Sequence, residues 1–174
     1  MAWLKEYADV LMLLATIIGG GFALLTWLKA ERTRRTDLAY KMMKDARANS
    51  KIRYLIEYDE FRYDKKFHGS DIEPELDKLL ALLDHMCYLL KSRSFWKKEF
   101  GIFRYEIIWM LSNEEVQAYL WNIYHFSKSI DAPCSFQSLI EWGLQNDLLP
   151  SDFTSKTCRA FTRQCSEDRI YLNF

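Results

Sequence analysis

Residues 10 to 28, VLMLLATIIGGGFALLTWL, run for 19 residues without a charge. At about 1.5 Å of helical rise per residue the run reaches roughly 28 Å, close to the ~30 Å hydrocarbon core of a bilayer. A segment of this length and composition is expected to span a membrane as a helix. Trp3 and Trp27 bracket it at the depth where indoles settle among headgroups, and Lys29, Arg32, Arg34 and Arg35 follow at once. Ahead of the run stand Lys5 and the terminal amine with Glu6 and Asp9, so the basic excess lies on the C-terminal side. That asymmetry places residues 29–174 in the cytoplasm.

Two other readings of the run are open. A cleaved signal peptide has a basic start, an apolar stretch of about 7 to 15 residues and a small-residue exit, whereas here the stretch is longer and the basic cluster lies behind it. A buried soluble helix would keep Lys5, Glu6 and Asp9 at its end, but a 19-residue uncharged run abutting a basic stop is an unusual core helix.

Charge divides along the chain. Residues 29–53 hold nine Lys or Arg against three Asp or Glu, and residues 54–174 hold 14 against 19. A basic collar beside an acidic body suits anionic headgroups, at about 1 kcal/mol per basic residue near the surface. It gives no special support to nucleic-acid binding, because the distal body is acidic; a plain solvated helix face is the competing reading. Cys87, Cys134, Cys158 and Cys165 show no CxxC spacing, so neither a metal site nor a redox pair is expected, and they read as buried free thiols.

Beyond the run the punctuation is helical. Phe22 to His68 contains neither glycine nor proline, which predicts a long helix leaving the membrane and breaking near residues 48–50, with Leu38, Met42, Ala46, Ile52, Leu55 and Ile56 as its apolar stripe. A polar loop follows. Ser70 or Asp71 is the expected cap of the next helix, Pro74 suits its first turn, and its leucines recur at core spacing to about Leu90.

Further helices are expected over 94–111, starting at Ser94 with Gly101 permitting close packing; from Ser112 or Asn113 onward; after Pro133 up to Pro150; and over 154–170. In the last of these, Cys158, Phe161 and Cys165 lie opposite Arg159, Arg163 and Arg169. The expected fold is all-α: an N-terminal transmembrane helix (1–28), a basic juxtamembrane helical stalk (29–68), and a cytoplasmic helical bundle packing on that stalk (69–174).

No nucleotide-binding glycine loop, nucleophile elbow or paired-histidine metal motif is present in the sequence. His85 and His125 read as helix-edge or packing residues. His68 differs, because Arg62 precedes it in FRYDKKFH. This Arg-x5-His spacing resembles that of HEPN-type ribonucleases, helical proteins whose dimers bring two Arg and two His together for metal-independent RNA cleavage. There an imidazole serves as general acid or base while guanidinium holds phosphate.

With its membrane helix, basic exit and aromatic-rich helices, the chain resembles the small membrane accessory proteins of type VI-B CRISPR systems. Through FGIFRYEIIWMLSNEEVQAYL it also resembles a broader bacterial family of single-pass proteins with a helical domain of unknown function. The resemblance implies a homo-oligomeric pore of the bacterial inner membrane that supports antiphage immunity beside an RNA-guided RNase, without cofactor or metal. It carries over Arg62 and His68 only as HEPN-like positions. A membrane-tethered ribonuclease or RNA-binding module, and a passive anchor for a partner, remain alternatives.

Each of the three glycines in the run costs a helix interior roughly 1 kcal/mol relative to alanine. Ala15, Gly19 and Ala23 repeat a small residue every fourth position, and Thr16 with Gly20 makes an adjacent small face. With Gly21 these faces cover most of the helix circumference, so neighbouring copies can approach on two sides, as a ring requires. The competing reading is that glycine is simply common in membrane helices.

Overall fold

The computed structural model describes residues 2–48, 50–64, 66–95, 97–158 and 160–161. It is all-helical, with six helices and no strand among the described residues: α1 (Ala2–Ala48), α2 (Ser50–Glu57), α3 (Glu73–Lys91), α4 (Lys97–Leu111), α5 (Glu114–Ser129) and α6 (Gln137–Gln145). The chain forms two compact units, residues 1–40 and 41–174.

In the first unit α1 runs unbroken through Gly19, Gly20 and Gly21. Arg35 Nε pairs with Glu31 one turn before it at 3.3 Å. Leu38, expected in the apolar stripe, is instead exposed.

In the second unit the last turns of α1 bury Met42 and Ala46, and α2 buries Ile52 and Ile56 while Leu55 is half-buried. α3 packs on α6 and α4, and α4 packs on α5. The spacing of Leu76, Leu79, Leu80, Leu83, Met86 and Cys87 puts one stripe of α3 wholly inside, and Leu90 closes it half-buried. Gly143 lets α6 approach its neighbours closely. A Cβ there would meet Leu149 Cδ1 at 2.9 Å and Leu111 Cδ1 at 3.0 Å.

Helix ends account for most differences from the expected elements. α3 starts after Ile72, whose side chain makes no cap, not after Ser70 or Asp71, and Pro74 sits in its first turn. Ser70 Oγ accepts from the Ile72 amide at 3.3 Å, and the Glu73 carboxylate turns back to accept from the Gly69 amide at 2.7 Å, where the chain turns at φ +75°. Ser94 does not open α4. Its amide donates to Leu89 O at 2.9 Å and so closes α3, and α4 begins three residues later at Lys97.

The start of α5 follows expectation, with Asn113 Oδ1 accepting from the Val116 amide at 3.1 Å. A Cβ added at Gly101 would meet nothing within 4 Å, so no neighbour among the described residues uses the close approach it permits. Residues 151–157 form turns that bury Phe153 and lead to buried Cys158. The rest of the helix expected over 154–170, with Arg159, Arg163, Cys165 and Arg169, falls outside the described residues except at 160–161.

Candidate functional site

The apolar stretch of α1 makes no core. Every large apolar side chain from Val10 to Leu28 is exposed, Phe22 by 72% and Trp27 by 61%, and none of the apolar window is buried. A contiguous exposed apolar surface of this size marks a site of contact with lipid or with another chain. By length and composition the helix can cross a membrane. Its polar atoms are already satisfied from within: Thr16 Oγ1 donates to Met12 O and Thr26 Oγ1 to Phe22 O, each at 2.8 Å. Such bonds back to the preceding turn remove the penalty of carrying a hydroxyl in hydrocarbon. The Trp3 side chain lies outside the described residues.

A Cβ added at Gly19, Gly20 or Gly21 would meet nothing within 4 Å. The three Cα atoms therefore offer bare backbone to whatever lies beside the helix, which is the surface that lets helices approach closely in lipid. At about 100° per residue Ala15, Gly19 and Ala23 fall within one ~80° arc, and Thr16 with Gly20 continues it. Lys29, Arg32 and Arg34 are exposed, while Arg35 is half-buried and partly neutralised by Glu31. The collar therefore presents three open cations and one paired.

Arg62 and His68 enter two different networks. Arg62 Nη1 donates to Phe61 O at 2.7 Å and contacts Asp59 Oδ1 at 3.3 Å, at the rim of a hollow of about 450 Å³ lined also by Ser112, Asn113, Glu114 and Glu115. His68 Nδ1 lies 2.8 Å from Glu73 Oε1, and its Nε2 lies 3.4 Å from the Tyr63 hydroxyl.

That hydroxyl also accepts from buried Asn122 Nδ2 at 2.7 Å. Tyr63, Phe67 and Tyr119 meet edge-to-face around it, with Tyr63 and Tyr119 centroids 5.4 Å apart. Tyr119 in turn donates to Asp77 Oδ1 at 2.5 Å. Burial is the main cause that raises the carboxyl of Asp77, against the lowering effect of that bond, and burial also pushes the Tyr119 hydroxyl up. Both ring nitrogens of His68 thus serve the junction between the 58–72 loop and α3.

No family model, curated protein or solved structure matches this chain. The site is accordingly read from its own geometry.

The other histidines sit at edges. His85 is exposed and stacks on Tyr88, centroids 6.3 Å apart. His125 lies against Trp121 at 4.5 Å and its Nε2 is 3.3 Å from Phe153 O, so that nitrogen donates to the carbonyl. Cys87 and Cys158 are buried free thiols and Cys134 is half-buried, while Cys165 falls outside the described residues. Among the described residues no group of three His, Cys, Asp or Glu side chains is placed to hold a metal ion.

Residues of evident consequence went unmarked in the sequence. Glu106 is 3% exposed on α4, where Arg47 Nε from the end of α1 reaches its Oε1 at 3.2 Å and Arg53 from α2 bonds its Oε2. Arg53 also lies over the Trp109 ring, 4.9 Å from its centre. A buried carboxylate is tolerable only with such partners. Their only sequence signal was a charge inside an aromatic run. Asp84 on α3 similarly caps α6 from outside, accepting from the Leu139 amide at 2.8 Å where Phe136 supplies no side-chain cap.

Proposed function

We propose that this chain is a single-pass membrane protein whose helix self-associates and whose assembly opens a pore, with residues 29–174 in the bacterial cytoplasm. The observation that supports it is the exposed apolar face of α1 with bare backbone at Gly19–Gly21. Lipid provides no hydrophobic drive for helix association, so close backbone approach must supply it. A single helix encloses no channel, and several copies can. Copies arranged about an axis would gather Lys29, Arg32 and Arg34 into a cationic ring at the cytoplasmic mouth, which favours anions. The setting in antiphage defence beside an RNA-guided RNase follows from the resemblance to the type VI-B accessory proteins.

The test is ion flux from proteoliposomes containing wild type, a variant with Gly19, Gly20 and Gly21 changed to leucine, and one with Lys29, Arg32 and Arg34 changed to glutamine. Leucine raises helix propensity and hydrophobicity while holding neighbours apart, so insertion should survive and conductance should fall. The glutamine variant should conduct with reduced anion preference. Equal conductance by the leucine variant would show that the glycines are not an assembly device and remove the main support of the pore reading, and absence of flux with wild type would overturn that reading and leave the anchor.

RNA cleavage is measured on the same preparations with Arg62→Ala/His68→Ala as control. His68 is committed to Glu73 and Tyr63, so no cleavage attributable to the pair is expected. Metal-independent cleavage lost in the double variant would put the ribonuclease first.

A further inference from the structure

α4 is apolar on two opposite faces. One buries Phe100, Phe103, Ile107 and Met110 in the core. On the other, Ile102 is 39% and Tyr105 69% exposed, Ile108 and Trp109 are half-buried, and Gly101 is open. At about 100° per residue Lys98, Gly101, Ile102, Tyr105, Ile108, Trp109 and Ser112 share one arc of roughly 120°. A helix apolar on both sides is normally covered on both; here Arg53 lies over the Trp109 ring, while Ile102 and Tyr105 stay exposed.

We infer that the occupant is a second copy of the same face, packed antiparallel about a two-fold axis at Tyr105. Positions equally far from Tyr105 then oppose one another. Gly101 faces the partner's Trp109, a bare Cα opposite the largest side chain, and Ile102 faces the partner's Ile108. Lys98 faces the partner's Ser112, which lies on the rim of the hollow that Asp59, Glu114 and Glu115 line with Arg62.

Exposed Asp59 and Glu114 line that hollow with Arg62 and with Glu115, which accepts from the Tyr63 amide at 3.0 Å, and α4 begins with exposed Lys97 and Lys98. The antiparallel pairing therefore delivers two ammonium groups to an acidic recess at each end, whereas a parallel pairing would set like charges together. An isologous contact needs this self-complementarity of shape and charge. The inference does not depend on the pore reading, since every residue in it lies within residues 41–174.

The test is disulfide cross-linking of the full-length protein in detergent, with Tyr105→Cys on the axis and Arg104→Cys, exposed on the flank, as control. Two cysteines on a two-fold axis come within disulfide range, so Tyr105→Cys should give about tenfold more dimer than Arg104→Cys. Lys98→Glu added to Tyr105→Cys should remove that excess, and Glu114→Lys added to both should restore it. All four positions are exposed, so folding is kept. With Gly19, Gly20 and Gly21 as leucine the Tyr105 cross-link should persist, which tells this contact apart from the membrane one. Equal yields at 104 and 105, no rescue by Glu114→Lys, or loss of the cross-link in the leucine variant would each overturn the inference.

Discussion

His125 shows what one side chain does for the domain through its charge state. Burial holds its imidazole below the ordinary value of 6.5, against the raising effect of the Phe153 carbonyl. The folded protein therefore keeps the neutral ring while the unfolded chain takes up a proton as pH falls through about 6.5, so this stabilisation is present above that value and lost below it. The thermal midpoint in detergent should drop between about pH 7.5 and 5.5, and drop less in His125→Gln, which can donate a hydrogen bond but cannot titrate there. The raised carboxyls of Asp77 and Asp84 work in the opposite sense, so the comparison between wild type and variant is the measurement. Equal slopes in the two proteins would remove His125 from the account.

At the scale of elements, helix ends carry an unusual burden. α2, α3, α5 and α6 each end in a residue at positive φ that is not glycine: Asp59, Arg93, Asp131 and Asp147. Each is followed by an amide that reaches back five residues, as Ser94 N does to Leu89 O at 2.9 Å and Leu148 N to Gly143 O at 2.9 Å. This closes orphan carbonyls at the cost of a left-handed residue, which is mild for Asp and greater for Arg. Arg93→Gly should stabilise the domain by about 0.5–1 kcal/mol in chemical denaturation, and Asp147→Gly by less. A loss of stability in Arg93→Gly would mean that its side chain holds a contact worth more than the strain.

For the whole molecule, the decisive quantity is the asymmetry of charge about the apolar run. Nine basic residues against three acidic ones lie in positions 29–53, directly behind it. The positive-inside tendency then expects a reporter fused after Phe174 to be active in the cytoplasm. Activity of a reporter that works only outside would reverse the topology, and the basic collar would then face the other leaflet.

Local signals determined a good deal. The 19-residue run and its glycines were legible because hydrocarbon thickness and helical rise fix what such a run can do. The core stripe of α3 and the Asn113 cap were legible because both are set by residues three or four apart. What sequence spacing could not supply were contacts between residues far apart in the chain. Asp84 caps a helix 55 positions away, and Asn122 on α5 donates to the hydroxyl of Tyr63, 59 positions away. Arg47 and Arg53, which read as part of a basic tract, are drawn to buried Glu106 because a carboxylate out of water must find its cations wherever the fold brings them. The second apolar face of α4 was present in the letters all along. Only the tertiary structure, by burying the opposite face and leaving Ile102 and Tyr105 exposed, decided which of the two faced outward.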